Sequence, residues 1–211
     1  MIVSLMEASA LEKYDLTLLT KEEIEHIRKA KIPLLQSCRA HACFEFRKMA
    51  GIQTNDAAVL RNAKGQPYFA NLDYNISISH KDQHCWLGMV KKPGVIGVDI
   101  EKIAETESVE VMFKHVANDL EKEHYQNLTS HFTKEEYLTV LWSLKESLYK
   151  CENSQHEGVS FLIDPFQNSA HLNFAPHCRL ENLWAGKQMQ IKYSIQKPFV
   201  LSSIYIFDKE I

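Results

Sequence analysis

The chain has 211 residues, of which 45% are hydrophobic and 24% are charged, and this composition is typical of a soluble globular protein. Its formal net charge of -3 argues against broad nucleic-acid binding, and it contains no apolar run of about eighteen residues that could span a membrane. The five cysteines are odd in number and widely spaced, without a CxxC pair, which argues against a disulfide framework and a cysteine zinc site. Because the N-terminus lacks the basic and apolar segments of a signal peptide, we expect a cytoplasmic protein.

The first fifty residues predict a strand followed by two helices. Residues 1–19 begin as a strand and continue as a polar connection. Thr20 and Glu23 have the spacing of a capping box, which predicts a helix that ends before Pro33. A second helix is predicted over residues 34–50.

Basic residues are concentrated early in the chain. Residues 21–64 are rich in Lys and Arg, whereas residues 99–136 are rich in Asp and Glu, so the first half could hold a small polyanionic ligand. Gly65-Gln66-Pro67 predicts a turn, whose main-chain N–H groups lie beside Arg61 and Lys64 and offer a place for a phosphate.

Three consecutive strands follow this turn and predict a meander. The strands span residues 75–79, 85–90 and 95–101, with His80 at the end of the first. In the last strand Gly97, Asp99 and Glu101 share one face, so the two carboxylates lie about 6–7 Å apart. They repel each other unless a cation lies between them, and oxygen ligands alone favour Mg²⁺ over zinc. The alternative is an ordinary solvent-facing edge of an antiparallel sheet.

The second half predicts helices and then strands. Residues 101–151 are mainly helical with a break near 129–131, and Thr133 with Glu136 caps the last helix. This helix carries Glu146 and Lys150 one turn apart, and it carries Lys145 inside its apolar arc, where a charged head requires an anion. The alternative is an amphipathic helix with an exposed Glu–Lys pair. The predicted strands span residues 158–166, 172–174, 187–195 and 199–207.

Each half therefore consists of helices followed by strands, which predicts the α+β class. We expect two similar lobes related by a pseudo-twofold axis, each an antiparallel sheet packed with helices, with the active site at their interface. The predicted N-terminal lobe spans residues 1–101, and the C-terminal lobe spans residues 102–211. No linker separates the two predicted lobes, and the sequence shows no residue-level internal repeat.

Two motifs together resemble one known family. Gly97-Val98-Asp99-Ile100-Glu101 and Trp142-Ser143-Leu144-Lys145-Glu146-Ser147-Leu148-Tyr149-Lys150 match the strand and helix motifs of the 4'-phosphopantetheinyl transferases. Ser79-His80 and the turn from Arg61 to Pro67 resemble two further motifs of that family, in the expected order. The chain length resembles the monomeric, two-lobed surfactin-synthetase-activator branch and not the short trimeric synthases.

This resemblance implies transfer of the phosphopantetheine arm of coenzyme A to a serine of an apo-acyl or peptidyl carrier protein. It assigns Mg²⁺ to Asp99, Glu101 and Glu146. Glu146 is also the candidate base, and Lys150 would contact the pyrophosphate. We expect a monomer with no nucleic-acid or membrane partner.

The same resemblance implies a set of coenzyme A contacts, in which His80 and Ser79 lie near the 3'-phosphate. The full set is Arg61, Lys64, Gly65, Gln66, Ser79, His80, Lys145 and Lys150. Gln66 departs from the family, which commonly has Lys there. Further basic candidates are Arg28, Lys31 and Arg39, and a further family carboxylate would be Glu121 or Glu123.

Two alternatives belong to other functional classes. The first is a coenzyme A- or nucleotide-binding module without transferase activity, which Gln66 alone favours. The second is an acidic α+β interaction protein with no small ligand. Binding of coenzyme A without turnover would indicate the first, and the absence of any effect of coenzyme A on the melting temperature would indicate the second.

Overall fold

The computed structural model describes residues 1–52, 57–152, 158–176, 178, 181 and 183–208, apart from the side chains of 106–108. The helices are α1 (Lys21–Arg28), α2 (Pro33–Met49), α3 (Thr106–Val116), α4 (Asp119–Gln126) and α5 (Lys134–Glu152). The strands are β1 (Ile2–Glu7), β2 (Val59–Arg61), β3 (Pro67–Phe69), β4 (Tyr74–Lys81), β5 (His84–Lys91), β6 (Val95–Lys102), β7 (Val159–Asp164), β8 (Ser169–Phe174), β9 (Lys187–Gln196) and β10 (Phe199–Asp208).

The strands form antiparallel sheets that pack against the helices, so the predicted α+β class is confirmed. One sheet has the order β1-β5-β4, a second has the order β6-β10-β9-β8-β7, and β2 pairs with β3. In the ranges that the structure describes, no helix combines the length and the apolar character needed to cross a membrane.

The predicted meander is only partly correct. β4 and β5 form the expected hairpin, but β4 continues through Lys81, and β6 leaves this sheet to pair with β10. β6 instead packs against β5. The two strands come so close here that a Cβ on Gly88 would lie 2.6 Å from a methyl group of Val98. The Ser77 hydroxyl also accepts the N–H of Val98 at 3.1 Å. The short connection between β5 and β6 favoured a three-stranded meander. That prediction failed because contacts across the sheet faces outweigh this connection.

The predicted helical region between residues 101 and 151 is broken twice. The expected break separates α4 from α5, and Thr133 with Glu136 forms the predicted capping hydrogen bonds. A second break, which was not predicted, separates α3 from α4 at Asn118. The Asn118 side chain accepts the N–H of Glu121 and starts α4 with a capping box.

Two buried glutamates occupy equivalent places in the two halves. Glu23 lies in the first turn of α1 and closes a capping box with Thr20, as predicted. Its carboxylate accepts a hydrogen bond from Arg47 on α2 at 2.6 Å and one from the N–H of Val59 on β2 at 2.8 Å. One carboxylate thus fixes two helices and a strand.

Glu121 repeats this arrangement in the second half. It lies in the first turn of α4 and accepts hydrogen bonds from Lys145 on α5 at 2.7 Å and from the N–H of Phe161 on β7 at 2.9 Å. In both halves the cation follows the glutamate by 24 residues. This similarity supports the expectation of two related lobes. The boundary between residues 101 and 102 stays a prediction. It falls within β6, which pairs into the second sheet.

Helix α5 packs directly on β6 at Gly97. A Cβ at this position would lie 1.9 Å from the main-chain oxygen of Ser147. The apolar side of α5, which includes Leu141, Leu144 and Leu148, is fully buried in the core of the second half. Only glycine permits this separation between the helix and the strand.

We therefore expect Gly97→Ala to lower the free energy of unfolding by about 3 kcal/mol, at the upper end of the range for overpacking. Urea unfolding at equilibrium provides the measurement. Gly186→Ala is the control, because no atom lies within 4 Å of its added Cβ and its φ of +84° is the sole source of strain. That strain should cost about 1–2 kcal/mol. Equal losses in both variants would contradict the role given to Gly97.

Candidate active site

A cleft of about 610 Å³ lies between the C-terminal half of α5 and strands β4 and β6. The chemically active side chains around it are His26, Arg39, Arg61, Ser79, His80, Asp99, Glu101, Glu146 and Lys150. An adjoining cavity of about 500 Å³ shares Arg61, Gly65 and Lys150 with this cleft. The structure therefore brings together most of the candidate residues, although they come from distant parts of the chain.

Three side chains of β4 form a row of hydrogen bonds with β6. The Ser77 hydroxyl accepts the N–H of Val98, the Ser79 hydroxyl donates to Asp99 at 2.8 Å, and the Lys81 ammonium donates to Glu101 at 2.6 Å. Alternate residues of a strand point to the same side, so this row follows from the period of β4. It fixes both carboxylates of β6 at the edge of the cleft. Lys81 was not among the predicted site residues.

Asp99 is 2% exposed and is the most deeply buried acid of the cleft. Its Oδ1 accepts hydrogen bonds from Ser79 at 2.8 Å and from the Lys150 ammonium at 2.7 Å. Its Oδ2 is buried as well and has no hydrogen-bond partner among the described residues. A buried carboxylate oxygen without a partner is costly, so Oδ2 is suited to bind a cation. The alternative of a solvent-facing Asp99 is wrong.

Glu146 lies beside these acids on α5, on the turn that precedes Lys150. Burial raises the pKa of Glu146, and the negative charges of Asp99 and Glu101 raise it further, whereas Lys150 opposes them. The like charges are thus close enough to repel one another. Nevertheless, no three His, Cys, Asp or Glu side chains in the described part of the chain are grouped closely enough to hold a metal ion.

The opposite wall of the cleft is basic. Arg39 donates a hydrogen bond to the main-chain oxygen of His26 at 2.5 Å, and Arg61 donates to that of Gly65 at 3.1 Å. Burial lowers the pKa of His80, and the charges of Lys150 and Arg39 lower it further. Arg39 and Arg61 thus place positive charge beside a space that would attract a phosphate group.

His26 is a cleft residue that the sequence did not indicate. Burial, together with the charges of Arg39 and Arg61, lowers its pKa to about 4. Its Nε2 is buried, and no described residue forms a hydrogen bond with it. The position near the end of α1 carries no sequence signal, since the neighbouring charges come from α2 and β2.

The predicted turn presents side chains to the cleft and not free N–H groups. The Asn62 side chain accepts the N–H groups of Lys64 and Gln66, at 2.9 Å and 3.0 Å, and donates to the Gln66 side chain. The N–H of Gly65 donates to the main-chain oxygen of Asn62. The expectation that these N–H groups bind a phosphate is therefore wrong. Lys64 and Gln66 line the adjoining cavity instead.

Several other candidates lie away from the cleft. Lys145 directs its ammonium to Glu121 and to the main-chain oxygen of Val116, both at 2.7 Å, so the structure does not bring it to the expected ligand. Glu121 is fully buried in this pair. Glu123 is exposed, and neither it nor Glu121 lines the cleft. Of the three additional basic candidates, Arg39 alone is a lining residue.

Comparisons with known proteins identify a family for this chain. The family model described as "4'-phosphopantetheinyl transferase superfamily" matches residues 95–202, which is slightly more than half of the chain. The match includes β6 and α5, which supply the carboxylates and Lys150. A search of curated proteins finds no match.

Similar solved structures include an ACPS–coenzyme A complex from Chronobacterium ammoniagenes, which is 15% identical with a TM-score of 0.44 over 56% of this chain and 100% of that one. A holo-ACP-synthase from Plasmodium yoelii is 13% identical, with a TM-score of 0.42 over 55% and 95% of the two chains. A holo-[acyl-carrier-protein] synthase from Helicobacter pylori, in complex with coenzyme A, is 15% identical, with a TM-score of 0.40 over 53% and 99%.

The placement of Lys145 leads to a prediction about stability. Lys145→Met leaves the fully buried Glu121 carboxylate without its cation, and we expect the free energy of unfolding to fall by about 3–5 kcal/mol. Lys197→Met removes a cation that is 74% exposed in its pair with Glu136 and should cost less than about 1 kcal/mol. Urea unfolding and calorimetric titration with coenzyme A provide the measurements. Weaker coenzyme A binding with unchanged stability would instead return Lys145 to the ligand site.

Proposed function

The chain belongs to the 4'-phosphopantetheinyl transferase superfamily, and we propose that it transfers the phosphopantetheine arm of coenzyme A to a serine of an apo-acyl or peptidyl carrier protein, releasing 3',5'-ADP. The observation that carries this proposal is the convergence of Asp99, Glu101, Glu146 and Lys150 on one cleft with a basic opposite wall. We also propose that the protein acts as a monomer, since one chain supplies both the acids and the basic wall of the cleft, and we propose a cytoplasmic location.

Coenzyme A carries a 3'-phosphate and a pyrophosphate, and the cleft offers separate cations for them. Arg39 and Arg61 supply the positive charge of the basic wall, where the 3'-phosphate would bind, and His26 and His80, whose pKa values are lowered, line the same wall. A phosphate there would also supply an acceptor for the buried Nε2 of His26 once that ring is protonated. Lys64, Gly65 and Gln66 would contact the adenosine in the adjoining cavity.

The donor set suits a magnesium ion. Asp99, Glu101 and Glu146 offer carboxylate oxygens alone, and the buried Oδ2 of Asp99 has no partner among the described residues. Burial raises the pKa of Glu146, and the negative charges of Asp99 and Glu101 raise it further. In the described structure the three carboxylates are not grouped closely enough to hold an ion, so they would have to move together to hold Mg²⁺, which when bound would neutralise the pyrophosphate and stabilise the leaving phosphate.

The reaction forms a bond from the serine oxygen to the β-phosphorus and breaks the pyrophosphate P–O bond on the side of 3',5'-ADP. Glu146 accepts the serine proton, directly or through a water molecule, since its carboxylate lines the cleft. Lys150, one helical turn away, offsets the charge that develops on the phosphate oxygens. Since the protein forms no covalent bond with the substrate, positioning and charge account for its contribution.

A second candidate function is binding of coenzyme A without transfer. Gln66 favours it, because the residue replaces a family cation and its side chain accepts a hydrogen bond from Asn62. The presence of all three carboxylates and Lys150 argues against it. The two functions differ in turnover and not in binding.

The direct test is incubation of the protein with coenzyme A, Mg²⁺ and a panel of apo-carrier proteins, followed by mass spectrometry of the carriers. We expect at least one carrier to gain the mass of a phosphopantetheine arm, and EDTA should prevent the gain. Binding of coenzyme A with no transfer to any carrier would favour the second candidate. A panel assayed side by side also identifies the preferred carrier.

The role of Glu146 provides a sharper prediction. Glu146→Gln keeps the shape of the side chain but removes both the charge and the proton acceptor, so we expect transfer to fall by at least about 10²-fold. The melting temperature should stay close to that of the wild type, because Glu146 is only half-buried. Glu135→Gln, on the first turn of the same helix, is the matched control and should retain activity. Full turnover in Glu146→Gln would remove this residue from the mechanism.

A further inference from the structure

Lys81 binds one of the proposed metal ligands, although none of the motifs includes it. Its ammonium lies 2.6 Å from Oε2 of Glu101, and the side chains of Lys81 and Glu101 are 41% and 21% exposed. Lys81 is the last residue of β4, two positions after Ser79, which contacts Asp99 in the same row of hydrogen bonds. The ammonium therefore binds Glu101 from a partly exposed position at the end of β4.

We propose that Lys81 is a built-in counter-cation that competes with the divalent ion for Glu101 and thereby lowers the affinity of the site for the metal. This inference rests on the proposed function, since it assigns the ion to Asp99, Glu101 and Glu146. It goes beyond that function because it names a residue outside the ligand set as the one that determines metal affinity.

The state of the carboxylates supports competition. Asp99 retains a buried oxygen with no described partner, whereas Oε2 of Glu101 is already bound to Lys81. The described acids are not yet grouped closely enough to hold an ion. Binding of an ion by Glu101 through Oε2 thus requires Lys81 to leave that oxygen.

The exposure of the pair indicates that this exchange is easy. A lysine that is 41% exposed can return its ammonium to water at little cost, whereas Lys145, whose side chain is 12% exposed, holds a fully buried carboxylate. The two pairs have similar lengths but differ in how readily they release the carboxylate. Glu101 can therefore exchange its contact with Lys81 for a divalent ion.

The local charges lead to the same expectation. Asp99, Glu101 and Glu146 carry three negative charges around the cleft, and Lys81 and Lys150 oppose them. Removal of the Lys81 charge leaves a more negative site, which attracts a divalent cation more strongly. A lysine that merely positioned Glu101 for the metal would have the opposite effect, because its loss would leave the ligand less ordered.

The test is the affinity of the whole protein for Mn²⁺, measured by electron paramagnetic resonance of the free ion, with and without saturating coenzyme A. We expect Lys81→Met to bind Mn²⁺ about two- to fivefold more tightly than the wild type. Lys122→Met removes the same charge from an exposed pair with Asp119 elsewhere on the molecule and should leave the affinity unchanged. Lys81→Arg retains the competing charge and should also resemble the wild type.

Equal affinities in Lys81→Met and Lys122→Met, or weaker binding in Lys81→Met, would overturn the proposal. If the wild type transfers the arm to a carrier while either of these results is found, the proposed function stands and the role of Lys81 fails alone. If the wild type neither binds Mn²⁺ nor modifies any carrier, both fail. Circular dichroism of each variant shows whether the fold is retained.

Discussion

The close contact between α5 and β6 at Gly97 determines how the three carboxylates and Lys150 of the proposed mechanism lie relative to one another. The main-chain oxygen of Ser147 lies where a side chain at position 97 would begin. Asp99 lies two residues further along the strand, while Glu146 precedes Ser147 and Lys150 follows it by almost one turn. A single backbone contact therefore brings acids from the strand and a base and a cation from the helix to one cleft.

A buried group of serines maintains this contact on the side of β10. The Ser202 hydroxyl lies 2.7 Å from the hydroxyls of both Ser143 and Ser147, and it lies 2.8 Å from the main-chain oxygen of Ser143. Ser202 is also directly opposite Asp99 in the pairing of β10 with β6. Because these side chains are small and satisfy one another, the helix can approach the sheet without burying unpaired polar groups. The helix is thus fixed to both β6 and β10.

The parts of the structure that depend on local sequence were predictable. The capping boxes of α1 and α5, the hairpin of β4 and β5, and the helix that carries Glu146 follow from spacing within a few residues. The transfer of β6 to the second sheet was not predictable in this way, because it depends on a contact between Gly88 and Val98 across two faces. Likewise, the partner of Lys145 lies 24 residues away, and the charges around His26 come from other elements.

Lys145 and Lys150 show why the chemical role of a residue cannot be assigned from its motif alone. The two lysines lie five positions apart on α5, so they point to different sides of the helix. Lys145 enters the core of the second half and neutralises Glu121, in the same way that Arg47 neutralises Glu23 in the first half. Lys150 pairs with Asp99 at the open cleft, where a ligand can take the place of one partner of this pair. The buried pairs hold the two halves in shape, whereas the pairs at the cleft are more exposed, which is the division of charge that the proposed reaction requires.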